Sequence, residues 1–240
     1  MPDEATHGWK VLDRDKGVWS YEYEFAANAK ANCLAARIAD GKVLILSPAT
    51  GLSEASFAAL EQLGEVAAVV ATNGFHHLGQ PAWRKRFPSA RFFAPSEGMA
   101  RIRKRNPDAG AFEPLSQLGP LLGDDVIVRE LPNTKCGETY AIVKVDHGHI
   151  FFVSDILANI DRLPSNPIVR LMFKWTKSAP GYRVFNLGLA FIVRDKKAVL
   201  TKLLSDLENY PASVVVPAHG QSLTGERIAA ETKALVQAAL

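Results

Sequence analysis

The side chains best suited to chemistry follow three short apolar runs. The first is Val69-Val70-Ala71-Thr72-Asn73-Gly74-Phe75-His76-His77-Leu78-Gly79, the second Ile150-Phe151-Phe152-Val153-Ser154-Asp155, and the third Val214-Val215-Val216-Pro217-Ala218-His219-Gly220. Runs of this kind are the pattern of strands covered on both faces. In α/β sheets, ligands collect beyond the carboxyl ends of such strands, where separate segments converge. His76, His77, Asp155 and His219 would then form a donor set for one divalent ion. Zinc is the expected ion, iron and manganese are the alternatives, and a site without metal is the contrasting case.

Each of these residues also has a plainer reading. A lone His is more often a satisfied polar side chain than a ligand, adjacent histidines need not point the same way, and a strand-terminal Asp commonly caps a helix or forms a turn. His147 and His149 read as exposed hairpin residues. Cys136 has no neighbour that marks it as activated, so it reads as a small buried side chain. Trp83 and Trp175 read as core packing rather than pocket walls. Glycine-rich phosphate loops and a Gly-x-Ser-x-Gly elbow are absent.

The elements that must position the candidates alternate between strand and helix in two successive halves. Val18–Phe25 alternates as a half-buried strand should, and Asn32–Ile38 and Val43–Leu46 flank Asp40-Gly41, a pair suited to a tight hairpin. Ser53 is placed to cap a helix running to Leu63, with Gly64 as its stop. A strand at Val66–Ala71, a short helix at Pro81–Phe87, a strand at Arg91–Ala94 and a helix from Ser96 to Arg105 follow. Residues 107–123 read as an irregular surface connection. The second half offers strands at Val126–Leu131, Thr139–Val145 and His149–Val153, a helix at Asp195–Tyr210, a strand at Val214–Val216 and a closing helix from Gly225. Between them, residues 160–190, punctuated by Pro164, Pro167 and Pro180, read as an inserted helical or loop region of the kind that shapes a substrate entrance.

The order Asn73-Gly-Phe-His76-His77-Leu-Gly, Ser-Asp155, Pro-Ala-His219-Gly resembles the metallo-β-lactamase superfamily. That family carries His-x-His-x-Asp-His, then a His near a Gly, an Asp and a final His. The resemblance spans nearly the whole chain and implies a single α/β domain over residues 1–240, an αββα sandwich of two mixed sheets with helices outside and the metal along one edge. Asp155 and His219 match directly and His77 matches the last His of the first motif. His76 stands where that motif has Asp, Gly74 and Thr72 where it has its other histidines, and Asn133 or Thr134, near Cys136, where the next His belongs. Asn-Gly-Phe-His-His with Trp83 and Phe87-Pro88 is also similar to a divergent branch of the superfamily without an assigned function. The resemblance implies a metal-dependent hydrolase with His77, Asp155 and His219 on the ion, Asp155 keeping its charge beside it, and His76 as a fourth ligand or the acid/base group. Four protein ligands would close a tetrahedral zinc to water, whereas catalysis needs an open position. The contrasting expectation is a non-catalytic binding or scaffold protein that keeps the sandwich without the metal chemistry.

Composition sets the outer bounds. With 48% hydrophobic and 22% charged residues over 240 positions, the chain has the balance of a folded globular protein. A formal charge of +3 is too small to demand nucleic acid or a membrane, so a small-molecule substrate is the expected partner. The basic cluster from Arg84 to Arg105 reads first as a solvated helix face and second as a patch for anionic substrates. Cys33 and Cys136 make no disulfide framework in a chain of this length. No segment approaches the ~20 apolar residues of a membrane span, and the opening MPDEATHGWK lacks a basic start followed by an apolar stretch. These features predict a cytoplasmic protein.

Overall fold

Apolar side chains on both faces of the central strands decide the architecture. The computed structural model describes residues 6–26, 29–163 and 165–240, so Pro164 lies outside the described residues. The first sheet holds β1 (Trp9–Asp13), β2 (Val18–Ala26), β3 (Ala29–Arg37), β4 (Val43–Leu46), β5 (Val66–Val70), β6 (Arg91–Ala94) and β7 (Glu113–Pro114), in that spatial order. Strands β1 to β4 pair antiparallel and β4 to β7 parallel. The second sheet contains β8 (Val126–Glu130), β9 (Thr139–Val145), β10 (Gly148–Ser154), β13 (Ala212–Pro217) and β14 (Leu223–Thr224), with β10 and β13 parallel neighbours. A separate ribbon pairs β11 (Leu157–Ile160) with β12 (Gly181–Val184).

Successive residues of a strand point to opposite faces, and here both faces are apolar. Leu34, Ala36, Leu44, Leu46 and Val70 of the first sheet meet Ala141, Val143, Ile150, Phe152 and Val216 of the second between the sheets. The alternate residues Cys33, Ala35, Val43, Ile45 and Val69 face outward. There they pack under α1 (Glu54–Glu61) and α2 (Gln80–Arg86) through Phe57, Leu60 and Trp83. Ser53 caps α1 by accepting from the Ser56 backbone N–H, as its position predicts. The alternate residues of the second sheet, Phe151, Val153 and Val215, meet α7 (Lys196–Asn209) and α8 (Ile228–Gln237) through Val199, Leu203 and Val236. The result is an αββα sandwich. Helix α3 (Ser96–Arg105), the turn α4 (Gly119–Leu122), α5 (Pro167–Trp175) and α6 (Asn186–Ile192) complete the described helices.

Two expectations need correcting. Residues 107–123 are not a bare surface connection, because Leu115, Leu118 and Leu122 are buried in the core between the sheets. Trp83 is fully buried and donates through Nε1 to the Ala49 carbonyl, whereas Trp175 is 84% exposed. Helix α5 uses Val169 and Phe173 as its less exposed face, and Trp175 lies on the other.

One buried charge braces the outer layer. Asp206 of α7 accepts from the fully buried Tyr140 hydroxyl, from Arg129 Nε at 3.2 Å and from Lys202 Nζ at 3.0 Å. Burial pushes its carboxyl up, but these three partners outweigh burial and hold it below the ordinary value. Asp206→Ala orphans the Tyr140 hydroxyl, so it is expected to cost about 2–3 kcal/mol, or roughly 5–10 °C in thermal midpoint. A depressed folded pKa contributes stability above the unfolded pKa that is lost as pH falls through the folded one. The gap between wild type and variant, followed by urea unfolding, is therefore expected to narrow in acid.

Candidate metal centre

The candidate residues sit beyond the carboxyl ends of β5, β10 and β13, one strand from the first sheet and two from the second. A buried hydroxyl clasp ties these ends together. Thr72 Oγ1 lies 2.7 Å from Ser47 Oγ at the end of β4 and accepts from Ser154 Oγ at 2.9 Å. The His219 loop is stapled to the first sheet by Asn32, whose Nδ2 donates to the carbonyls of Pro217 at 2.8 Å and Gly220 at 2.6 Å. Gly220 has φ +91°, and a Cβ there would stand 1.6 Å from the Asn159 carbonyl oxygen, so only glycine lets the two loops approach.

This scaffold brings His76, Asp155 and His219 together, one ligand atom from each lying within 4.8 Å of the others. His76 Nε2 is 3.3 Å from Asp155 Oδ2 and His219 Nε2 is 3.2 Å from Asp155 Oδ1. Asn73 Nδ2 bridges two buried carboxyls, donating to Asp155 Oδ2 and to Glu138 Oε2 at 2.9 Å each. Burial pushes the Glu138 carboxyl well up, and the Asp155 charge adds to that. Burial acts the same way on Asp155, but His76 and His219 overcome it and hold this carboxyl well below the ordinary range. The two carboxyls are pushed in opposite directions, Asp155 toward its charged form and Glu138 toward its protonated one.

His219 carries the clearest sign of what the site accepts. Its Nδ1 lies 3.0 Å from the Lys30 carbonyl, which can only accept, so Nδ1 is the protonated nitrogen. In the neutral ring, the Nε2 lone pair would then face Asp155 Oδ1, an oxygen without an aligned hydrogen bond. Two opposed lone pairs call for a cation between them: a proton or a metal ion. Burial lowers the His219 pKa, but the proton's bond to Asp155 outweighs it and the net direction is upward. An imidazole locked through Nδ1 to a carbonyl, with Nε2 turned to the site, is also the usual arrangement of a metal-bound histidine. The residues present fit a divalent ion.

The three side chains line a cavity of about 670 Å³. Its walls include Phe25, Phe75, Phe185 and Phe191, and its cations are Arg101 and Lys135. Arg101 stacks on Phe75, its guanidinium carbon 3.8 Å from the ring centroid.

No family model matches the sequence and no curated protein matches it. Solved structures do. A metallo-β-lactamase from Pontibacter korlensis superposes with TM-score 0.57 at 14% identity, over 95% of this chain and 99% of the other. The FIM-1 metallo-β-lactamase from Pseudomonas aeruginosa, in its mono-zinc form, gives 0.55 at 13%, over 98% of each chain. A third, from Hirschia baltica, gives 0.56 at 13%, over 95% of this chain and 97% of the other. The fold is that of the metallo-β-lactamases.

Within the metallo-β-lactamase fold, the four proposed ligands separate. His76, Asp155 and His219 converge, while His77 falls outside the group. Adjacent residues in this turn diverge: the His77 ring is lowered in pKa by burial and then by Arg101, its Nδ1 is buried without a hydrogen bond, and its carbonyl accepts from Asn106. Thr72, at a position where the family motif has a His, serves the hydroxyl clasp instead. Cys136 is buried at the cavity wall with its thiol pushed up to about 11 by burial, so it is protonated at neutral pH. His147 is exposed, and His149 lies toward the opposite end of β10, with Nδ1 near the Pro211 carbonyl.

The basic cluster divides in two: Lys85, Arg103, Lys104 and Arg105 are exposed, as a solvated face would be, and the others have partners in the fold. Arg84 donates to the carbonyls of Ala109 and Ala111, Arg86 pairs with Glu54 and Glu61, and Arg91 pairs with Glu113. Of the cluster, only Arg101 is among the cavity-lining residues. Glu138 and the bridging role of Asn73 escaped sequence reasoning. The available signal was an acid placed immediately before β9, whose residues Thr139 to Val143 are all buried.

Proposed function

We propose that the protein is a metal-dependent hydrolase in which His76, Asp155 and His219 hold one divalent ion, zinc in the first instance. The observation that carries this reading is the His219–Asp155 contact, a buried carboxylate oxygen and a partly buried imidazole nitrogen facing one another at 3.2 Å with a second imidazole beside them. An ion bound there would supply Lewis-acid polarisation of a carbonyl or phosphoryl oxygen and lower the pKa of its water. Three protein ligands leave a four-coordinate ion one open position, which removes the difficulty posed by four. Two imidazoles and a carboxylate also suit ferrous iron.

The chain's own groups have separable tasks. Asn73 fixes Asp155 Oδ2 and the Lys30 carbonyl fixes the His219 ring. The aromatic walls give the site an apolar surround, beside which charge interactions are stronger than in bulk water. Arg101 and Lys135 favour a substrate with an apolar body and a negative group.

Elemental analysis of protein purified without added metal or histidine tag tests the reading. About one zinc or iron per chain is expected in wild type and none in His219→Ala, with turnover of chromogenic esters or phosphodiesters confined to the former. Absence of metal from wild type after incubation with excess ions would favour a binding protein on a retained fold.

A further inference from the structure

Helix α5 is built back to front for a helix of a water-soluble surface. At about 100° per residue, Ile168, Leu171, Met172 and Trp175 fall on one arc. That arc faces solvent: Ile168 is 70% exposed, Leu171 68% and Trp175 84%. None of the nine residues of α5 is fully buried. Phe191 of α6 adds another apolar side chain, 60% exposed. Isolated exposed leucines need no explanation, but a whole helical face with a protruding tryptophan does.

We propose that this face docks the protein on an anionic lipid surface, with Leu171 and Trp175 entering the boundary between headgroups and acyl chains. Charge selects this occupant. From Arg162 to Arg194 the sequence has six Lys and Arg and no Asp or Glu. Lys174 lies beside the apolar arc and Lys177 just beyond the helix, both exposed. A second copy docked by two-fold symmetry would set this patch against itself and bring like charges together. An anionic bilayer complements both halves of the pattern: basic residues at the phosphates and aromatic and aliphatic residues beneath. No described helix is long and apolar enough to cross a membrane, so the association is with the surface.

The position of the patch gives it a purpose. Phe173 of α5 contacts the Phe185 ring at 5.8 Å, and Phe185 contacts His219 at 5.9 Å. Lys135 lines both the candidate site cavity and a second hollow bordered by Trp175. An amphiphile leaving the lipid would meet Phe191, a wall of the site cavity, at its edge. The docking itself rests on α5 and its charges, not on the hydrolase reading.

Flotation of the full chain with phosphatidylcholine vesicles, alone or mixed with phosphatidylglycerol, tests the proposal. Binding to the anionic vesicles only, weakening with salt, is expected. Of the four tryptophans, Trp9 and Trp83 are fully buried and Trp19 is partly buried on β2, so the part of a blue shift on binding that Trp175→Phe removes reads Trp175, and that variant should keep most binding while losing most of the shift. Lys174→Glu with Lys177→Glu is expected to reduce partitioning at least ~10-fold. Leu171→Asp with Trp175→Asp should abolish it without lowering the thermal midpoint. Failure to float with either vesicle, or equal flotation with both, overturns the proposal, as does flotation like wild type of the double Glu or double Asp variant. A lipid-free dimer that Leu171→Asp with Trp175→Asp dissociates, or tight binding of an acidic protein through α5 without vesicle binding, would assign the face to a protein instead. None of these readouts involves metal or turnover, so this proposal and the hydrolase reading fail separately.

Discussion

Asp155→Asn is expected to weaken divalent-ion binding at least ~100-fold, more than loss of a supporting hydrogen bond to a ligand would cost, and to remove metal-dependent turnover. The substitution keeps the side chain's shape and removes its charge, on which both imidazoles depend. With Asp155 neutral, only the Lys30 carbonyl still opposes burial at His219, so its pKa is expected to fall relative to wild type. That gives a second readout in chelated protein, where no ion intervenes. A histidine with a raised folded pKa contributes stability that is fully present below its unfolded value, near 6.5, and lost as pH rises through the folded one. Wild-type apoprotein should therefore lose this contribution as pH rises from the unfolded value through the raised folded one, and Asp155→Asn should lose most of it. Isothermal titration with zinc and urea unfolding across pH measure the two effects. Wild-type ion affinity in Asp155→Asn would remove Asp155 from the proposed ligand set.

What sequence could and could not disclose follows from which signals are local. Continuous apolar runs such as those of β5, β10 and β13 are local signals, so strands covered on both faces, the hairpin at Asp40-Gly41 and the cap at Ser53 were all legible. The convergence of His76, Asp155 and His219 was legible for a related reason: each follows a strand, and parallel neighbours end on the same side. His77 was not, because which of two adjacent side chains enters a site depends on the turn's backbone. Helix α5 failed for a similar reason. Its amphipathicity is strong, but a helical pattern says only that two faces differ, and the smaller Val169–Phe173 face turned toward the protein. The leucines of residues 107–123 were masked by Gly and Pro, which break regular elements without preventing burial. Glu138 is invisible to periodicity altogether, since its burial depends on Asn73 and Asp155, distant in sequence.

Glu138 is where the second large effect is expected. The side chain is fully buried, with Oε2 accepting from Asn73 Nδ2 and Oε1 accepting from the Asp155 backbone N–H at 3.3 Å. Burial first, and the Asp155 charge second, raise its pKa well above 4.5. The sign is therefore opposite to that of Asp155: the folded state holds a proton that the unfolded chain releases, so folding costs about 1.4 kcal/mol more for each pH unit above the unfolded value. The penalty stops growing once the folded pKa is passed. Glu138→Gln supplies a neutral group of the same size and escapes the penalty, so its stability relative to wild type is expected to improve steadily as pH rises from about 5. Glu138→Ala escapes it too, but it opens a cavity and leaves the Asp155 N–H without its acceptor, at a cost of about 3 kcal/mol. Urea unfolding of the three chelated proteins across pH separates these contributions. Parallel curves for wild type and Glu138→Gln would mean that Glu138 is charged in the fold, and two carboxylates bridged by Asn73 would then need a permanent cation to coexist. A diverging pair of curves would instead establish that the fold itself keeps one carboxyl neutral, leaving Asp155 as the charge held at the candidate centre before any ion arrives.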